Sequence, residues 1–132
     1  MSFLLDTMIC SAYLKGSPVV FPRFLQHGGR LAVSTITVGE LSVWAHQSHA
    51  SADRLRSLQG MLRDVTVLDV TVDVAMTFGT VRAELLDRGR PVPQLDLFIA
   101  ATALVHDLVL VTHNVKDFAG IPDLTVIDWL EP

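Results

Sequence analysis

The 132 residues suit one domain, spanning 1–132, whose core buries roughly 70% of the unfolded chain's surface. Half of them are hydrophobic and the mean hydropathy is +0.43, so the chain needs either a sheet covered on both faces or an apolar patch reserved for a partner. The formal charge of −4 argues against a protein that coats nucleic acid, and the single cysteine, Cys10, excludes a disulfide framework or thiolate metal cluster within one chain.

In chain order, Phe3-Leu4-Leu5 reads as a short buried strand, followed by a helical run through Ala12 to a break at Gly16-Ser17-Pro18. Val20 to Gln26 forms a second helix, ended by Gly28-Gly29, which lacks the context of a phosphate loop and reads as a turn. Leu31 to Val33 is a strand, Thr37 to Gln47 a helix with Leu41 and Trp44 on one face, and Arg54 to Leu62 another helix. Val65 to Val70 is a β-branched strand, and Val72 to Asp87 a long helix closed by Gly89. Pro93 opens a nearly all-apolar helix through Val105. Leu108 to Val111 and Leu124 to Ile127 are the last strands. Apolar strands alternating with helices predict a central parallel sheet between helical layers, with its site beyond the carboxyl ends of the strands. No apolar run reaches the roughly 18 residues of a membrane span, and the start, interrupted by Asp6 and without a basic leader, does not read as a signal peptide. A cytoplasmic protein is expected.

Acids placed beside apolar segments carry the functional signal. Asp6 follows the first strand, Glu40 and Asp117 follow others, and Asp96 lies inside the apolar helix among Ile99, Ala100 and Ala103. Each has a local explanation: Asp6 as a helix cap, Glu40 closing a capping box with Thr37, Asp96 in a first helical turn, Asp117 three positions after a capping Asn114. Helices that follow parallel strands point their N-termini at one edge, however. Four carboxylates crowded there must either take up protons or hold a cation, and such oxygen ligands suit Mg²⁺, or Mn²⁺.

The motifs Leu4-Leu5-Asp6-Thr7, Glu40-Leu41, Asp96-Leu97-Phe98-Ile99-Ala100-Ala101 and Thr112-His113-Asn114 followed by Asp117-Phe118 resemble those of the PIN-domain ribonucleases, most closely the VapC toxins of toxin–antitoxin pairs. The resemblance spans nearly the whole chain. It implies a PIN-like three-layer α/β/α sandwich, Mg²⁺-dependent cleavage of RNA, a VapB-type antitoxin and a homodimer. It also implies that Asp6, Glu40, Asp96 and Asp117 are the metal-site and catalytic acids, with Thr112 and Asn114 as polar neighbours at the substrate. Met8 departs from the polar residue, often Asn, that the family carries there.

Among the remaining residues, Arg82, Arg88 and Arg90 precede the Asp96 helix and are candidate phosphate contacts, Arg90 first because Gly89 and Pro91 constrain its loop. Arg82 has Glu84 and Asp87 as alternative partners. His46 and His49 lack a third ligand and read as a surface helix end. Leu41, Trp44 and Met61 are either core or the lining of a groove for a partner helix. Two other readings compete: a phosphoacceptor receiver, with Thr112 and Lys116, and a non-catalytic binding module in which the acids are caps. A receiver calls for an acidic pair at the first strand, where Asp6 stands alone, and leaves Asp96 unexplained.

Overall fold

The computed structural model describes residues 2–131. Five parallel strands form its sheet: β1 (Phe3–Leu5), β2 (Leu31–Ser34), β3 (Thr66–Leu68), β4 (Val109–Val111) and β5 (Val126–Ile127), in the order β3-β2-β1-β4-β5. Around it lie α1 (Thr7–Leu14), α2 (Phe21–Gln26), α3 (Thr35–His46), α4 (Ala52–Arg63), α5 (Val72–Asp87), α6 (Gln94–His106) and the single turn α7 (Val115–Phe118).

Alternation along the strands builds two cores. Phe3, Leu5, Leu31, Val33, Val109 and Val111 face one layer, where they meet Ile9, Leu41, Leu58 and Met61 from α1, α3 and α4. Leu4, Ala32 and Leu110 point to the other face, against Val81 and Leu85 of α5, Leu97, Ala100 and Ala103 of α6, and Phe118 of α7. This is the three-layer α/β/α sandwich, and covering the sheet on both faces accounts for much of the hydrophobic excess. Leu41 and Met61 are core, with Trp44 packed against them and Arg54 lying 5.2 Å over its ring. Met61 also borders an open cavity of about 430 Å³ with Tyr13, Phe21, Ser57 and Gly60. Phe78 of α5 stacks on Phe98 of α6 with ring centroids 3.8 Å apart. Among the described residues no helix is long and apolar enough to cross a membrane.

Element ends move by at most two residues from their expected places, and one shift matters for the site. Helix α3 begins at Thr35 because Ser34, still paired in β2, caps it by accepting the Ile36 N–H at 3.0 Å. Thr37 is therefore inside the helix and fully buried, and the capping box that would occupy Glu40 does not form. Helix α5 ends where Gly89 adopts φ +67°, a conformation costly for other residues, which turns the chain toward Arg90.

Candidate active site

Strand order reverses between β1 and β4, the switch point at which parallel sheets leave a crevice. Asp6 and Thr112 are the residues that leave these two strands. The Asp6 N–H donates to the Val111 carbonyl at 3.0 Å and the Thr112 N–H to the Ile127 carbonyl at 2.9 Å, so the sheet fixes both backbones. Asp6 does cap α1, accepting the Ile9 N–H at 2.9 Å, and it also receives the Thr112 hydroxyl. Thr112 Oγ1 in turn accepts the Asn114 N–H at 3.1 Å. Asn114 makes no side-chain cap to α7.

Glu40 reaches the same edge from α3. Thr7 Oγ1 donates to Glu40 Oε1 at 2.6 Å and lies 3.1 Å from Thr37 Oγ1, so two threonines steady a carboxylate that would otherwise swing. Sequence reasoning quoted Thr7 in a motif and gave it no task. Asp96 enters from the first turn of α6 and is half-buried; Asp117 sits on α7 and is exposed. Neither accepts a hydrogen bond from any side chain or backbone among the described residues.

The other three acids lie close enough to Asp96 for their charges to act on it. Burial raises the Asp96 carboxyl above its ordinary range, and the charges of Glu40, Asp6 and Asp117 raise it further. Burial raises Asp6 as well; Thr112 and the Ile9 N–H work against that rise, while Asp128 and Glu40 add to it. Such upward pressure is what a cation relieves. The four acids do not gather as tightly as a closed cage: among the described residues, the one group of three or more potential ligands with atoms within 4.8 Å of one another is His113, Asp128 and Glu131. Hard carboxylate oxygens around an open crevice fit Mg²⁺ or Mn²⁺, ions that keep several waters when protein supplies few ligands.

Asp128 is a further acid at this edge that sequence reasoning missed. It follows β5 as Asp6 follows β1, and the apolar run ending at Ile127 was the available signal. Arg90 lines a cavity with Lys116 and Asp117, its guanidinium resting against Gly120. Arg88 is tied to Glu84 and to the Gly120 carbonyl, so one of the two partners expected for Arg82 is taken by Arg88. Arg82 is half-buried on α5, and its guanidinium makes no hydrogen bond or ion pair among the described residues. His46 bonds the Ser42 carbonyl on its own helix, as befits a surface helix end. Met8 is 41% exposed on α1.

Comparison with known proteins agrees with this fold. The PIN domain model matches residues 3–124. The chain belongs to the PIN-domain family. Within that family it is similar to the tRNA(fMet)-specific endonuclease VapC of Shigella flexneri, 35% identical over 130 residues covering 98% of each chain. It is also similar to a ribonuclease VapC of Haemophilus influenzae, 32% identical over 131 residues covering 98% of this chain and 99% of the relative. Among solved structures, a DNA-bound VapBC complex from Salmonella typhimurium superimposes with a TM-score of 0.92 at 35% identity, covering 98% of both chains. VapBC-1 from nontypeable Haemophilus influenzae gives 0.87 at 33% identity, covering 99% of this chain and 100% of that one. The sheet order also departs from the 2-1-3-4-5 order of flavodoxin-like receivers, which removes the phosphoacceptor reading.

Proposed function

We propose that this protein is a divalent-metal-dependent endoribonuclease of the VapC type, acting as a single domain in the cytoplasm and restrained by a VapB-type antitoxin. The observation that carries the reading is Asp96. A half-buried carboxylate in an apolar helix, under the charge of three others and accepting no hydrogen bond, has only the dipole of its first helical turn to offset its cost. The relatives named as VapC nucleases and the VapBC complexes support the substrate and partner classes.

In this reading Asp6, Glu40, Asp96 and Asp117 hold the ion, Mg²⁺ or Mn²⁺, and do the catalytic work. A bound ion supplies Lewis acidity toward the phosphate and lowers the pKa of water for in-line attack. Asp6 is the fixed ligand, immobilised by Ile9 N–H and Thr112. Glu40, held by Thr7, and Asp117, free on α7, are the two candidates for orienting the attacking water. Thr112 and Asn114 line the substrate side, and Arg90 and Arg82 meet RNA phosphates. A homodimer is supported by apolar side chains left exposed on α3 and α5, Val43 at 66%, Val72 at 77% and Met76 at 69%.

The test is cleavage of cellular RNA by purified protein with Mg²⁺, with EDTA, and with the cognate antitoxin, alongside Asp96→Asn. Cleavage that needs the metal, is absent in the variant and is blocked by the antitoxin supports the reading. Equal RNA cleavage by the folded variant refutes it.

A further inference from the structure

Two cavities open on either side of Lys116 and Asp117, which line both. One, about 250 Å³, has Arg90 on its wall with Pro91, Val92 and Gly120, and is the more cationic. The other, about 420 Å³, is walled by His113, Asn114, Asp128 and Glu131. That volume lies within the roughly 300–1,000 Å³ of small-ligand sites. A strand of RNA crossing Asp117 thus meets a phosphate-compatible cavity on one side and an acceptor-rich one on the other.

The acceptor-rich cavity is organised from beneath. The Asp128 side chain is 9% exposed, and both its oxygens are committed. One accepts the Leu130 N–H at 2.8 Å, and the other pairs with His113 Nδ1 at 2.9 Å. In the neutral tautomer with its proton on Nδ1, facing the carboxylate, the ring presents Nε2 as an acceptor. Ligand atoms of His113, Asp128 and Glu131 lie within 4.8 Å of one another. With Asp128 satisfied, the groups left for a ligand are His113 Nε2 and the Glu131 carboxylate, both acceptors, with the Asn114 amide beside them. Phosphate is disfavoured here, because Asp117, Asp128 and Glu131 outnumber Lys116. A ligand presenting N–H donors fits.

We propose that this cavity is a nucleobase subsite that seats a base bearing an exocyclic amino group next to the scissile phosphate. The inference rests on the ribonuclease reading above. Single-stranded RNA is read through splayed bases whose Watson–Crick edges meet side chains, and carboxylates accept from base amino groups. Guanine, adenine and cytosine each bring an amino donor. Uracil brings a single N–H between two carbonyl oxygens, and those oxygens would face Glu131. Asp128 is a positioning residue, acting through His113.

The experiment maps cut sites in a pool of RNA hairpins with randomised loops, using the full-length protein in Mg²⁺. The parent should disfavour uracil by roughly tenfold at one fixed position beside the cut, the worth of one good base contact. His113→Ala should flatten that preference, Asp128→Asn should weaken it, and Glu131→Gln, whose amide can donate to a carbonyl, should move it toward uracil. His113 and Glu131 are exposed, so both variants should fold as the parent does. A parent profile without base preference, or one unchanged in His113→Ala and Glu131→Gln, overturns the subsite while leaving the nuclease reading intact. Absence of cleavage by the parent as well as by Asp96→Asn overturns the nuclease reading itself. A divalent-ion stabilisation of Asp96→Asn that His113→Ala removes also overturns the subsite, since the cluster would then be a cation site.

Discussion

Adding metal should reverse the sign of the stability difference between the parent and Asp96→Asn. In metal-free buffer the Asp96 and Asp6 carboxyls are both raised, first by burial and then by their acidic neighbours. The folded protein therefore holds protons at these groups more tightly than the unfolded chain. That cost is absent below the unfolded carboxylate pKa of about 4 and complete above the folded values, so stability falls as pH rises between them. Asp96→Asn removes its own share and should melt higher than the parent in EDTA at neutral pH, with the gap closing on acidification toward pH 4.

Adding metal should favour the parent instead. An ion at a hundred times its Kd contributes about 2.7 kcal/mol to a protein that binds it only when folded. A chain of this length has an unfolding entropy of about 0.28 kcal/mol/K, so the parent should gain about 10 °C in Tm. The variant, with one of its four facing carboxylates neutralised, should gain less than about a third of that. Melting curves in EDTA and in Mg²⁺, at pH 4.5 and 7.5, measure both effects. Equal Mg²⁺ responses in the two proteins, or a variant less stable than the parent in EDTA at pH 7.5, would refute the reasoning.

Thr7→Val removes the hydroxyl that steadies Glu40. It should cost about 1 kcal/mol in EDTA and weaken metal binding by roughly tenfold, checked by denaturant melts and metal titration. Arg90→Ala should lower RNA affinity across sequences and flatten its salt dependence by a slope of about 0.7, measured in Ca²⁺ so that cleavage is slow. Gly120→Ala should reproduce part of that loss, because a Cβ there would sit 2.9 Å from Arg90 Nη1 and displace it. Its stability should change by less than about 0.5 kcal/mol, since the group that must move is the end of a flexible side chain.

Sheet and layers were legible because buried parallel strands are short apolar runs: β1, β3, β4 and β5 fall inside the runs that announced them, and β2 overruns its own by Ser34 alone. Strand order was not legible. Nothing local reveals that β4 pairs with β1, yet that pairing places Thr112 against Asp6 and turns separate motifs into one crevice. Glu40 was ambiguous because Ser34 and Thr37 are both good caps. The choice is made by β2, whose ladder to β3 extends to Ser34 and leaves Thr37 inside the helix. Helix α7 is too short for any periodicity to show, and Asp128, one acid after a brief strand, has no motif around it.

The acids of the site fall into two kinds, and the division has a physical use. Asp6 and Glu40 are immobilised by hydroxyl and backbone donors, whereas Asp96 and Asp117 carry no donor among the described residues. A fixed carboxylate needs little reorganisation on meeting a cation, because its geometry is already set by the sheet edge. A donor-free one keeps all its lone pairs for the ion, and repulsion from its neighbours makes the empty crevice costly. Asp96 can bear that cost because α6 is anchored elsewhere. Leu97, Ile99, Ala100 and Ala103 are buried along its length, and small residues let the helix lie close to the sheet. Rigid packing holds the charge where relaxation would otherwise move it to water, and that is how a hydrophobic helix can serve an acidic site.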